Sequence, residues 1–238
     1  MKKLFTLFII FTTSLFAATP TWANRLTVSG SSWNNVSNDN INLGGVHASF
    51  KLSGAGMSYY SIYKALQLEK NSSYVLSWNV NNGCDINVTN VTLNMRTSME
   101  GWITLNGTKS ANLYSLSPQN VSTGKICLGN SDKLLFTTSN NYTQVVIKYY
   151  PNFFLYDLTI DYTITPNSSA FSVSDGTVAV SSGDMTNTID LDDLVVANDP
   201  HYSFNYVCTS ANAGTCSIDA NHNFKATKPG VYTIAANI

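Results

Sequence analysis

The 238-residue chain has room for one large domain or two small ones. Its 44% hydrophobic and 12% aromatic content can bury a core, which excludes wholesale disorder, and its net charge of -1 excludes the basic face that a nucleic-acid partner needs. Only 11% of residues are charged, and 28 asparagines supply much of the polarity. Asn, Ser and Thr compete with helical hydrogen bonds, so this composition suits a β-rich exported protein.

Lys2 and Lys3 precede an apolar run over residues 4–18, followed by Pro20 and Thr21-Trp22-Ala23. These are the charged, apolar and small-residue regions of a secretory signal peptide, expected to span residues 1–23 and to be cleaved after Ala23. The run is shorter than the ~20 residues that cross a bilayer, so no membrane span is expected once the leader is removed. The short Lys-Lys leader points to a bacterial protein, secreted or at the cell surface. In an oxidising compartment Cys84, Cys127, Cys208 and Cys216 are expected to form disulfides. Of the three pairings, Cys84–Cys127 and Cys208–Cys216 are favoured because each stays within one candidate domain.

Period-2 alternation then dominates. Val46, Ala48, Phe50 and Leu52 form one apolar row, and Tyr74, Leu76, Trp78 and Val80 another. Residues 57–70 fit a helix or a strand about equally. Val91, Leu93 and Met95 alternate with polar residues. The longest row is Phe154, Tyr156, Leu158, Ile160, Tyr162 and Ile164, with Asp157 and Asp161 facing away. Turn clusters such as Asn81-Asn82-Gly83 separate the strands. The fold class is therefore all-β: two antiparallel β-sandwich domains.

A boundary is placed at the polar, Pro-containing joint Pro166-Asn167-Ser168-Ser169. Residues 24–165 carry nine Lys/Arg against seven acids, and residues 166–238 carry two against seven. The second domain has its own strands, over residues 177–180, 202–209 and 230–238. Tyr232, Ile234, Ala236 and Ile238 alternate like a core strand, and the sequence stops on the last of them. The expectations left open are a short terminal strand, a truncated sequence, or a domain completed by a strand from a protein partner.

The run Leu66-Gln67-Leu68-Glu69-Lys70-Asn71-Ser72-Ser73-Tyr74-Val75-Leu76-Ser77-Trp78 resembles a feature of galactose-binding-like jelly rolls and carbohydrate-binding modules, in which a strand, a polar turn and a Tyr-x-Leu-Ser-aromatic strand follow one another. The Asp within Phe154-Leu155-Tyr156-Asp157-Leu158-Thr159-Ile160 is similar to their closing strand. The resemblance implies a jelly-roll-like ligand-binding domain over residues 24–165. Lys228-Pro229-Gly230-Val231-Tyr232-Thr233-Ile234 and Val195-Val196-Ala197-Asn198-Asp199-Pro200 are similar to bacterial immunoglobulin-like or cadherin-like repeats. That implies an immunoglobulin-like sandwich over residues 166–238, incomplete by its last strand, with a Tyr tying strand to loop. The Cys208–Cys216 pair departs from the inter-sheet disulfide of such repeats.

Catalytic signatures are absent from the sequence: it has no Gly-x-Ser-x-Gly elbow, no HExxH and no phosphate loop. Asp157 and Asp161 read as a solvated pair on one strand, and His47, His201 and His222 as separate. No enzymatic activity and no cofactor is expected. Asp184, Asp190, Asp192, Asp193 and Asp199 are oxygen ligands of the type that holds Ca²⁺, but Asp190-Leu191-Asp192-Asp193-Leu194 also reads as an ordinary strand edge with outward acids, Pro200-His201 stands where another acidic ligand is expected, and no metal is assigned. Among Trp33, Tyr59, Tyr60, Tyr63, Trp78, Trp102, Tyr149 and Tyr150, most are expected in the core. Trp33 and Trp102, beside turn-rich segments, are the candidates for stacking on sugar rings, with Asn34 and Asn35 supplying amide hydrogen bonds. The expected function is adhesin-like: non-covalent recognition of a glycan or host-surface ligand. The alternatives are a subunit of a pilus or surface assembly completed by a partner strand, and an accessory module of a longer secreted hydrolase.

Overall fold

A computed structural model of the chain describes residues 4–13, 21–141, 152–167, 169–174, 176–181, 188–210, 215–228 and 231–238. Tyr149, Tyr150 and Asp184 lie outside these residues. The described residues form an all-β protein, its only helical pieces two 3-10 turns at Gly30–Asn35 and Asp192–Leu194. The strands are β1 (Leu4–Thr13), β2 (Trp22–Ser29), β3 (Asn40–Gly44), β4 (Ala48–Ser53), β5 (Ser58–Tyr60), β6 (Ala65–Leu68) and β7 (Ser73–Val80). They continue with β8 (Cys84–Thr97), β9 (Trp102–Leu105), β10 (Thr108–Lys109), β11 (Gln119–Ser122), β12 (Leu134–Ser139) and β13 (Phe153–Pro166). The last eight are β14 (Phe171–Val173), β15 (Gly176–Ser181), β16 (Ile189–Asp190), β17 (Val195–Ala197), β18 (Asn205–Ser210), β19 (Cys216–Ile218), β20 (Asn223–Ala226) and β21 (Val231–Asn237).

The chain divides into two compact units. The larger comprises residues 21–81 and 85–165; the smaller comprises residues 1–20, 82–84 and 166–238.

The larger unit is a sandwich. One sheet has the order β10-β9-β12-β7-β4-β3, and the other β11-β8-β13-β6-β5 with β2 also on β13. Alternation puts Tyr74, Leu76 and Trp78 of β7 and Val91, Leu93 and Met95 of β8 inward, all buried. Phe50 of the first sheet meets Tyr162 of the second edge-on, with ring centroids 5.0 Å apart. The Tyr162 hydroxyl donates to the Val46 carbonyl at 3.2 Å and accepts from the Val46 amide at 2.9 Å, so this buried phenol leaves no polar atom unpaired.

Of the two readings open for residues 57–70 the strand one holds, as a hairpin: β5 pairs with β6 through Tyr60↔Ala65, with Lys64 at φ 49° in the turn. Two expectations need correcting here. Val46 stands outside β4 and is 43% exposed. The apolar row of β13 changes face, because Tyr156 and Asp157 are consecutive half-buried residues between the inward Leu155 and Leu158. Phe154 and Tyr156 therefore lie on the outer face, where Tyr60 and Tyr63 cover Phe154.

The smaller unit has three sheets, ordered β15-β1-β21-β18, β14-β17 and β16-β20-β19. Its core gathers Leu191, Phe224, Ala226, Tyr232 and Ile234. The Tyr232 hydroxyl donates to the Lys228 carbonyl at 2.7 Å, tying strand to loop. Gly83 belongs to this unit, with its carbonyl accepting from the Tyr202 hydroxyl at 3.0 Å and from the Asn167 amide at 2.9 Å. It has φ 82°, and a Cβ there would press on Ala170 Cα at 2.5 Å, so only glycine fits.

Cys208 and Cys216 are disulfide-bonded, joining β18 to β19. The expected Cys84–Cys127 bond is not formed. Cys84 belongs to the smaller unit, buried with its Sγ 2.8 Å from the Tyr202 hydroxyl, whereas Cys127 is an exposed residue of the larger unit. The two cysteines belong to different units, so a pairing within one domain does not apply to them.

Candidate functional site

The outer face of the sheet containing β8 and β13 carries polar and aromatic side chains that are mostly half-buried. At one end a hydrogen-bonded row crosses four strands. Ser122 Oγ donates to Asn90 Oδ1 at 2.7 Å, Asn90 Nδ2 to Asp161 Oδ2 at 3.1 Å, and Arg25 Nε to Asp161 Oδ1 at 2.5 Å. The Arg25 hydrogen bond, opposed by partial burial and aided by Asn90, holds the Asp161 carboxyl below its usual range. These groups are occupied with one another.

Further along the face the pairing thins out. The Arg96 guanidinium lies over the Tyr63 ring at 4.4 Å and 6.0 Å from the Tyr156 ring centroid. It also donates to the Leu116 carbonyl at 3.1 Å, while its buried Nε has no hydrogen-bond partner. Tyr63 stands at the β5–β6 turn and is 38% exposed; Ile62 beside it, Tyr114 and Leu116 itself are exposed apolar residues. Asp157, on the β13 face between this cluster and Asp161, has no hydrogen-bond partner among the described residues. Burial alone pushes its carboxyl above the usual range. Burial likewise raises the Tyr156 phenol, against the pull of the Arg96 charge. The Asn94 amide reaches Asn120 at 2.7 Å on the same face. An aromatic platform, a cation and an unpaired carboxylate on one sheet surface can hold a ligand with both apolar faces and hydroxyl groups.

The residues singled out from the sequence are not brought together. Trp33 is fully buried in the Gly30–Asn35 turn, and its indole donates to the Tyr156 carbonyl at 2.8 Å. Its ring offers no face to a ligand, which corrects its assignment as a stacking residue. Asn34 and Asn35 are exposed on the same turn. Trp102 belongs to the other sheet, half-buried on β9 beneath the Lys109 ammonium at 4.2 Å from its ring centroid. Lys109 and Ser110 also line a shallow groove of about 220 Å³ that reaches Gln119 and Asn120. The signal that would have exposed Tyr156 and Tyr63 is the break of parity in β13, invisible to an alternation count.

The smaller unit holds a second polar group. Asp192 accepts from the Tyr206 hydroxyl at 2.7 Å and pairs with His222 Nδ1 at 3.0 Å. Burial works to raise the Asp192 carboxyl, but these two hydrogen bonds prevail and hold it below its usual range. Tyr206 is pushed up, first by burial and then by Asp192. The three residues line a pocket of about 320 Å³ with Ser203 and Phe204. Among the described residues no hydrogen bond joins Ser203 to His222, so the pocket lacks a nucleophile–base contact. Asp190 accepts from the Asp192 amide at 3.0 Å, and Asp199 is buried against His201 at 2.7 Å.

No family model matches the chain, and no curated protein matches it. Among solved structures the chain is similar to the structure of a family two carbohydrate esterase from Cellvibrio japonicus, at 12% identity and a TM-score of 0.35. The match covers 61% of this chain, which spans 36% of that one. Among the described residues no helix is long and apolar enough to cross a membrane. The Cys208–Cys216 bond is compatible with an oxidising, extracytoplasmic compartment.

Proposed function

We propose that the chain is a secreted or surface-exposed bacterial binding protein, adhesin-like and non-catalytic, whose larger unit recognises a glycan on the outer face of β8 and β13. The observation that carries this reading is the juxtaposition of Tyr63, Tyr156 and Arg96 with the unpartnered carboxylate of Asp157 on one face. Sugar rings stack their C–H faces on exposed aromatic rings, and their hydroxyls hydrogen-bond to carboxylates and amides. A half-buried, unpaired carboxylate costs stability in the unliganded protein, and a ligand hydroxyl donating to it recovers that cost. Weak affinity at one such site is raised when many copies are displayed.

The test is a glycan-array screen of residues 24–238, followed by titration of any hit with Tyr63→Ala, Asp157→Asn and Trp102→Ala proteins. Tyr63→Ala and Asp157→Asn should each weaken binding at least tenfold at unchanged fold, while Trp102→Ala leaves it intact. Absence of any glycan hit from folded protein, or a hit indifferent to Tyr63 and Asp157, overturns the reading.

A further inference from the structure

The smaller unit owes one of its strands to the expected leader. β1 lies between β15 and β21, pairing antiparallel with β15 from Leu4↔Ser181 to Ile9↔Gly176 and parallel with β21 from Phe8↔Val231 to Thr13↔Ala236. On its far side β21 pairs with β18, and Tyr232, Ile234 and Ala236 of β21 are fully buried. All of β1 falls inside residues 1–23, the segment that reads as a cleaved leader. Its removal leaves β15 and β21 two strand spacings apart, about 9.6 Å, with unpaired backbone groups facing each other.

We propose that this gap is an acceptor slot that a partner protein fills with one donated β-strand, running parallel to β21; the proposal rests on the cleaved-leader reading. The chemistry of the donor follows from what the slot holds and what borders it. β1 has the sequence LFTLFIIFTT, ten residues without charge or proline. The two strands that border it, β15 and β21, are also uncharged over their whole lengths. A charged donor would find no counter-ion on any bordering strand, and a proline would remove a ladder hydrogen bond. The donor is therefore an extended, apolar, uncharged segment of about ten residues. It must also be free on both edges, because it is bordered on both. That excludes the β21 edge of a second copy, since β21 carries β18 on its other side and cannot enter between two strands.

The test uses residues 24–238 and a synthetic peptide of residues 4–13 flanked by lysines for solubility, with a Phe8→Pro/Phe11→Pro peptide as control. Backbone hydrogen exchange is read over residues 176–181 and 231–236. These amides should exchange at least tenfold more slowly with the peptide than without it, and the proline peptide should protect nothing. If the smaller unit does not fold without the leader, the same peptide should restore its ordered state by near-ultraviolet circular dichroism, while the proline peptide does not. Equal protection with and without peptide in a monomer means that the slot closes from within and overturns the proposal. Protection that rises with protein concentration, with a dimer by light scattering, identifies a second copy and overturns it too. Mass spectrometry of the exported protein showing residues 1–23 still attached also overturns it. None of these readouts involves glycan, so this proposal and the glycan-binding one fail separately.

Discussion

In the larger unit Phe50, Trp78 and Tyr162 meet across two sheets made from that unit's own strands, whereas in the smaller unit the buried row Tyr232, Ile234 and Ala236 sits on a strand that has the expected leader as one of its two neighbours. The larger unit has no disulfide among the described residues; the smaller one, with a compact core around Leu191, Phe224 and Tyr232, has Cys208–Cys216. A unit that buries little apolar surface is marginal and leans on cross-links and borrowed strands. The difference teaches that the two units draw stability from different sources, and single substitutions should separate them.

The largest effect is expected in the larger unit. Trp33→Ala removes a fully buried indole and its hydrogen bond to the Tyr156 carbonyl, and should cost about 3–5 kcal/mol in urea unfolding. A loss below about 1 kcal/mol would mean that Trp33 is not part of the core. In the smaller unit, replacing both Cys208 and Cys216 by Ser opens a link of sequence separation 8, worth about 2.5 kcal/mol of chain entropy. Unfolding followed by exchange at residues 231–236 should register that loss while residues 74–78 register none. Tyr162→Phe leaves the Val46 amide and carbonyl without their partner and should cost about 1–2 kcal/mol in the larger unit alone.

The smallest effects are the most diagnostic of the binding face, because two aspartates on one strand should respond to pH in opposite senses. Asp157 has its folded carboxyl above the unfolded value, so its contribution is fully present at pH below the ordinary carboxylate range and is lost as pH rises through the raised folded value. Asp157→Asn should therefore raise stability slightly at pH 7 and make no difference at pH 3. Asp161 is depressed, so its contribution is present above the ordinary range and lost as pH falls through the lower folded value. Arg25→Met should remove that loss on acidification, with little effect on the smaller unit. Thermal unfolding of the two proteins between pH 2.5 and 7 checks both signs.

Where a strand keeps strict parity, the sequence is enough to place it: Tyr74, Leu76 and Trp78 alternate, and all three are buried. Parity carries no information about an inserted residue: it places Tyr156 inward, whereas the consecutive half-buried pair Tyr156 and Asp157 turns it outward. Trp33 looked available because it sits among Ser and Asn, yet those neighbours form a short 3-10 turn that points the indole into the core and leaves Asn34 and Asn35 outside. The distinction between Asp157 and Asp161 was also hidden, because it depends on Arg25 pairing across from a strand 136 residues away. Local pattern gives the faces only of strands that keep parity; which charge finds a partner is decided by strand order.

Residues 82–84 have a consequence for the order in which the molecule is made. Gly83 receives the Tyr202 hydroxyl across 119 residues of sequence. A chain synthesised or exported from its N-terminus presents Asn82, Gly83 and Cys84 long before residues 166–238 follow. The smaller unit must then wait, with Cys84 as a thiol, for the larger unit's intervening strands to be delivered. Closing so long a loop is slow, and its entropic cost falls once residues 85–165 have become compact. The timetable of the second fold is thereby written into the first.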